Sequence, residues 1–182
     1  ETRAKISRSG LSVLPYEENI IDVGEWFTVE TEEKDWIFSC CVNNVMTTKE
    51  AIDTDAIYYL KNYPMIELDE EYTILNEYTY LVANVTVKNV GQTENGVYMN
   101  SILYVPYNDE IKDIDSAFNA GYILGYKTRA DLPDDEKSYA KIMLEPGEEF
   151  TCNLIYVLAD EDIDGKTSYL KYLRGIADEE CD

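Results

Sequence analysis

The stretch Tyr78–Val90, YTYLVANVTVKNV, decides the fold class. Leu81, Ala83, Val85 and Val87 alternate with Val82, Asn84, Thr86 and Lys88. That two-residue period is the signature of a β-strand with one dry face and one mostly wet face. Asn89-Val90-Gly91 supplies turn residues that end it. Working outward, the same signal recurs on both sides. Upstream lie Gly24–Val29 (GEWFTV) and Lys34–Val45 (KDWIFSCCVNNV), the latter placing Trp36, Phe38, Cys40 and Val42 on one face. Downstream come Gly96–Pro106 (GVYMNSILYVP), Tyr122–Lys127 (YILGYK) and Glu148–Leu158 (EEFTCNLIYVL), with Ser168–Arg174 (SYLKYLR) closing the series. In Glu148–Leu158 one face carries Phe150, Cys152, Leu154 and Tyr156. About seven strands of this length predict an all-β, two-sheet sandwich. One or two short helical insertions are also expected. Thr47-Thr48-Lys49-Glu50 has capping-box spacing before Ile52, Ala56, Ile57 and Leu60, and Ile111, Ile114 and Phe118 repeat at helical spacing.

With 182 residues and 45% apolar side chains, one domain with insertions suits the chain better than two small ones. The expected organisation is a polar tether over residues 1–19, a sandwich over 20–176 and an acidic tail over 177–182. The net charge of −22 argues against nucleic acid and anionic membrane surfaces as partners, since both need clustered Lys and Arg. Such a charge keeps a secreted domain soluble and monomeric, and it also suits cations or basic partners. No apolar run is long enough for a membrane-spanning helix.

The pairing of "VTVKNVG" with a later "LEPGEEFTCNLIYVL" resembles immunoglobulin-like domains of unknown function in lipoproteins and secreted proteins of Gram-positive bacteria. The residues that carry the resemblance are Val85, Val87, Asn89 and Gly91, then Leu144, Pro146, Gly147 and Glu148, with Gly24-Glu25 opening the first strand. It covers roughly residues 20 to 175. The resemblance implies an immunoglobulin-like topology and an extracellular location, with a lipidated Cys upstream of Glu1. It brings no catalytic residues. The Tyr- and Asp-rich region between Tyr107 and Tyr139 departs from the family pattern.

The chain contains no His, which removes Ser-His-Asp and Cys-His catalysis and most zinc sites. Thirty-seven acidic residues make carboxylate pairs inevitable, so their presence does not signal an enzyme. Asp160-Glu161-Asp162-Ile163-Asp164-Gly165 matches the first six positions of an EF-hand loop, with Asp160, Asp162 and Asp164 as calcium ligands. The twelfth position is Lys171, where the loop needs a bidentate Glu, and a solvated acidic turn explains the same residues. Of the four cysteines, Cys40 and Cys152 fall on core faces and are expected to approach each other across the core, bridged or reduced. Sixteen tyrosines, among them Tyr58, Tyr59, Tyr98, Tyr104 and Tyr107, offer contact area for a protein or glycan ligand, or line the sandwich edges. The function expected on these grounds is a cell-surface binding or adhesion module without catalytic activity. The alternative is a carboxylate-based hydrolase of glycans, needing two carboxylates roughly 5 to 9 Å apart.

Overall fold

The computed structural model describes residues 4–7, 20–30, 37–52, 64–99, 102–106, 122–125, 141–164 and 168–172. Its strands are β1 (Ala4–Ser7), β2 (Ile20–Asp22), β3 (Trp26–Glu30), β4 (Ile37–Thr48), β5 (Tyr78–Asn89), β6 (Asn95–Tyr98), β7 (Ile102–Pro106), β8 (Tyr122–Gly125), β9 (Lys141–Leu144), β10 (Glu149–Ala159) and β11 (Ser168–Tyr172). One helical turn, α1 (Asp160–Ile163), follows β10. A five-stranded sheet runs β3-β4-β5-β10-β8, a four-stranded sheet β2-β1-β11-β7, and β6 and β9 form a ribbon. All pairs are antiparallel except β1 with β11. The chain is an all-β sandwich, and each of the seven stretches read from the sequence contains strand.

The core forms where alternation says it should. Phe38, Cys40 and Val42 from β4, Leu81, Ala83, Val85 and Val87 from β5, and Cys152, Leu154, Tyr156 and Leu158 from β10 share one buried cluster. Ile21 of β2 and Leu170 of β11 enter it from the four-stranded sheet, and Val97, Ile142 and Leu144 from the ribbon. Burying a side chain of this size contributes roughly 1.5–3 kcal/mol each, so this cluster is the main source of stability. Between Val42 and Asn44 the β4–β5 register shifts by one residue. This bulge takes up Asn43 and lets Val45, opposite Ala83, return to the core side three positions after Val42.

Several expectations need correction. Ala4–Ser7, placed in the tether, is a sheet strand held between β2 and β11. Gly96–Pro106 is not one strand: β6 pairs with β9 and β7 with β11, so the chain changes sheets around Met99. Thr47 and Thr48 continue β4 opposite Leu81 and Tyr80 and do not cap a helix. Thr48 Oγ1 accepts from the Glu50 amide two residues on, which makes a turn. The outer face of β5 is wet only in part. Tyr80 and Val82 are buried there, with Ile155 and Val157, beneath Ile66 and Ile74. The helical spacings over 53–63 and 111–118, the tail and Cys181 lie outside the described residues.

The two halves of the sequence resemblance meet in space. Asn89, wholly buried at the end of β5, donates from Nδ2 to the carbonyls of Leu144 and Thr93, both at 2.8 Å. Its Oδ1 accepts from the Gly91 amide at 2.9 Å. Its backbone accepts from Gly147 N at 2.8 Å and donates to Glu148 O at 3.0 Å. Gly147 has φ +82°, and a Cβ on Gly91 would stand 3.1 Å from Asn89 Oδ1. These residues thus form a latch that ties the end of β5 to the β9–β10 turn. Asn89→Ala strands two carbonyls and an amide and should lower unfolding stability by about 3–5 kcal/mol. Gly147→Ala, which forces a side chain into the left-handed region, should cost about 1–2 kcal/mol. Urea denaturation measures both, and a loss under about 1 kcal/mol for Asn89→Ala would show the latch to be dispensable.

Candidate functional site

The half of the five-stranded sheet's outer face that no described residue roofs carries a polar ladder that crosses three strands. Asn43 Nδ2 donates to Asn84 Oδ1 and to Thr86 Oγ1, each at 2.8 Å. Asn84 Nδ2 in turn donates to Asn153 Oδ1 at 2.8 Å, and the hydroxyls of Thr86 and Thr151 share a hydrogen bond of 2.8 Å. The strand registers explain the alignment: Asn84 lies opposite Asn153, and Thr86 opposite Thr151 on one side and Cys41 on the other. The β4 bulge inserts Asn43 beside Asn84, where its side chain reaches Thr86 as well. Trp26 of β3 is the cross-strand partner of Cys41, so it stands at the end of the Thr86–Thr151 row and is 48% exposed. Farther along, Thr28 and Ser39 share a bond of 3.1 Å, and Lys88 pairs with Glu149 at 2.6 Å.

Within the two rows formed by Trp26, Cys41, Thr86 and Thr151 and by Asn43, Asn84 and Asn153, no side chain is charged. The ladder holds its amides in fixed orientations yet leaves hydrogen-bonding capacity over. Among the described residues, Asn43 Oδ1, Asn153 Nδ2 and the Trp26 indole N–H take part in no hydrogen bond. Such a surface can bind a polar, uncharged partner without first ordering its own side chains. Sequence reasoning missed it because the alternation simply reads as a solvated face. The available signal was Asn84, Asn153 and Asn43-Asn44 inside strong strands, where Asn is depleted.

The residues singled out from the sequence lie elsewhere. Asp160 opens α1, closed by the Asp164 amide bonding Asp160 O at 3.0 Å, so Asp160, Asp162 and Asp164 sit on a helical turn and not along an extended ligand loop. Lys49 engages both Asp160 carboxylate oxygens, at 2.7 and 3.1 Å, and Thr79 Oγ1 donates to the same group. Lys49 Nζ also donates to the carbonyls of Asn76, at 2.9 Å, and Tyr78. Among the described residues no group of three or more potential ligands is placed to hold a metal ion.

Cys40 and Cys152 are both buried core residues, but they do not face each other across the sandwich. They flank β5 in one sheet, opposite Val87 and Val85, two strand spacings of roughly 4.8 Å apart, which is beyond the ~7 Å reach of a disulfide. Cys40, Cys41 and Cys152 are free thiols. Burial, with Cys41 and Cys152 nearby, pushes the Cys40 thiol far up, and burial raises Cys152 to about 12. Both thiols stay protonated at neutral pH and pack within the core. The surface expected of Tyr58, Tyr59, Tyr98, Tyr104 and Tyr107 lies outside the described side chains, while Tyr80 and Tyr156 are wholly buried in the two clusters.

Burial of the Asp160 carboxyl opposes ionisation, but the hydrogen bonds from Lys49 and Thr79 and the Lys49 charge outweigh it and hold its pKa below the ordinary carboxylate value. With both side chains over a third exposed, at 41% and 34%, solvent screening limits the pair to about 0.5–1 kcal/mol. A lowered folded-state pKa gives stability that is present at neutral pH and is lost as pH falls through that pKa. Asp160→Asn should therefore be less stable than the parent at pH 7, with the gap closing through the acid range in parallel urea titrations. Calcium would have to displace Lys49, so millimolar calcium should leave the melting temperature of the parent unchanged.

No protein-family model matches the chain, and neither does any curated protein. A crystal structure of an uncharacterized β-sandwich protein from Clostridium difficile 630 is similar over 96% of this chain and 97% of that one, at 12% identity and a TM-score of 0.38.

Proposed function

We propose that the chain is a non-catalytic binding module displayed outside the cell, as a secreted protein or a lipid-anchored lipoprotein, and that the ladder face of the five-stranded sheet is its contact surface. The observation that carries this reading is the ladder itself. Asn43, Asn84, Thr86, Asn153 and Thr151 form a continuous hydrogen-bonded strip that runs from the exposed Asn43 and Thr151 through half-buried Asn84 and Asn153 to the buried Thr86. Preorganised polar groups lower the ordering cost of binding. A sheet supported by a full core on its inner face is a rigid platform for them. The extracellular placement rests on the resemblance to Gram-positive lipoprotein domains.

Fluorescently labelled domain applied to intact cells and to extracellular matrix tests the reading. The parent should be retained, and the Asn43→Glu/Thr151→Glu double variant should bind at least tenfold more weakly. A control carrying the same two added charges at exposed Gln92 and Leu75 should behave as the parent. Equal retention of all three, or of none, would overturn the assignment of the face. Release of new reducing ends from glycans incubated with the domain would overturn the non-catalytic reading and favour the hydrolase.

A further inference from the structure

We infer that the ligand of this face is a neutral glycan, an inference that rests on the binding-module reading above. Three features of the strip select it. First, the two rows hold no charged side chain on a chain whose net charge is −22. An anionic polymer is repelled by the surroundings, and the carboxylate beside Thr151, that of Glu149, is already paired with Lys88 at 2.6 Å and so offers a basic partner little. Second, what the strip offers is amides and hydroxyls, which donate and accept at the same site. Asn43 Oδ1 remains an acceptor and Asn153 Nδ2 a donor. A vicinal diol presents the same mixture and satisfies both kinds of group. Third, an exposed indole borders the polar rows. Trp26 is 48% exposed and aligned through Cys41 with Thr86 and Thr151. Its flat apolar ring can cover the C–H face of a sugar while its N–H stays available to a hydroxyl.

The dimensions agree. The Trp26 row spans four strands, roughly 14 Å at about 4.8 Å per strand, and the Asn row lies about 7 Å from it along the strands. That is a shallow, elongated footprint with an aromatic at one end, suited to a short run of pyranose rings lying across the sheet. Cys41 sits between Trp26 and Thr86 at only 3% exposure, so the floor there is closed and the ligand lies on top of the sheet.

Titration of the intact domain with neutral hexasaccharides of glucose, xylose, mannose and N-acetylglucosamine, followed by tryptophan fluorescence and calorimetry, tests the inference. At least one should bind saturably. Trp26→Ala should weaken that binding about tenfold, as expected for loss of one aromatic stacking contact. Trp26→Phe should restore part of it, and polyglucuronate should not bind. Melting temperatures of the variants separate loss of the ligand from loss of the fold. If no neutral glycan binds while the labelled domain still adheres to cells through the Asn43/Thr151 face, the glycan inference fails and the binding module stands. If glycan binds equally to parent and Trp26→Ala, the site lies elsewhere and the inference also fails. If neither cells nor glycans are bound, both readings fall.

Discussion

A single buried amide holds the arrangement of the central strands. Asn89 is wholly enclosed, yet its side chain makes three hydrogen bonds and its backbone two more, all to groups that would otherwise be stranded where β5 ends. An apolar residue would leave those carbonyls unpaired, and a carboxylate could not donate to them. The latch also sets register. With Gly147 N and Glu148 O fastened to Asn89, β10 has to start opposite Lys88, and from there Thr151 meets Thr86 and Asn153 meets Asn84. A slip of one residue would turn every core side chain of β10 outward and take the ladder apart with it.

The β5–β10 pair is therefore loaded differently along its length. On the inner side the cluster is continuous from Val87 to Leu81. On the outer side, the half toward Tyr78 is roofed by the 64–76 segment. There Asp69 caps the amides of Glu71 and Thr73, and the Tyr80 hydroxyl donates to the carbonyl of Tyr72, itself in the left-handed region at φ 63°. Lys49 and Asp160 join the ends of β4 and β10 at this roofed end. The half toward Asn89 has no such roof among the described residues, and the ladder occupies it. Structural fastening is thus concentrated at one end of the face and the hydrogen-bonded ladder at the other.

How much of this was legible follows from element length and from what alternation encodes. β4, β5 and β10 are eleven or twelve residues long, enough for the two-residue period to be unmistakable. β1, β2 and β9 are three or four residues, too short to show a period, and each exists because a neighbour offers it an edge. The turn at Met99 was hidden because VYMNSILYV reads as one run, and only the two different partner strands divide it. Residue type left two readings open at Asp160 for a related reason. A calcium-loop spacing records which side chains could be ligands, whereas the structure gives Asp160 a lysine from 111 positions earlier. Cys40 and Cys152 were placed on the correct face, but strand order, which no periodicity reveals, set β5 between them.

An exposed sheet strip without charge is ordinarily a hazard, because identical faces and sheet edges can stack or pair. Here two features remove the hazard without filling the face. The ladder satisfies much of its own hydrogen-bonding capacity, so another copy gains little by meeting it. The net charge of −22 then sets copies of the chain against each other at distances where the Debye length, about 8 Å at physiological salt, still transmits repulsion. Acidic residues placed elsewhere thus do the work that a charged ladder would have done. The strip can stay neutral because the rest of the surface is not, and a ligand without charge is one that this repulsion leaves free to approach.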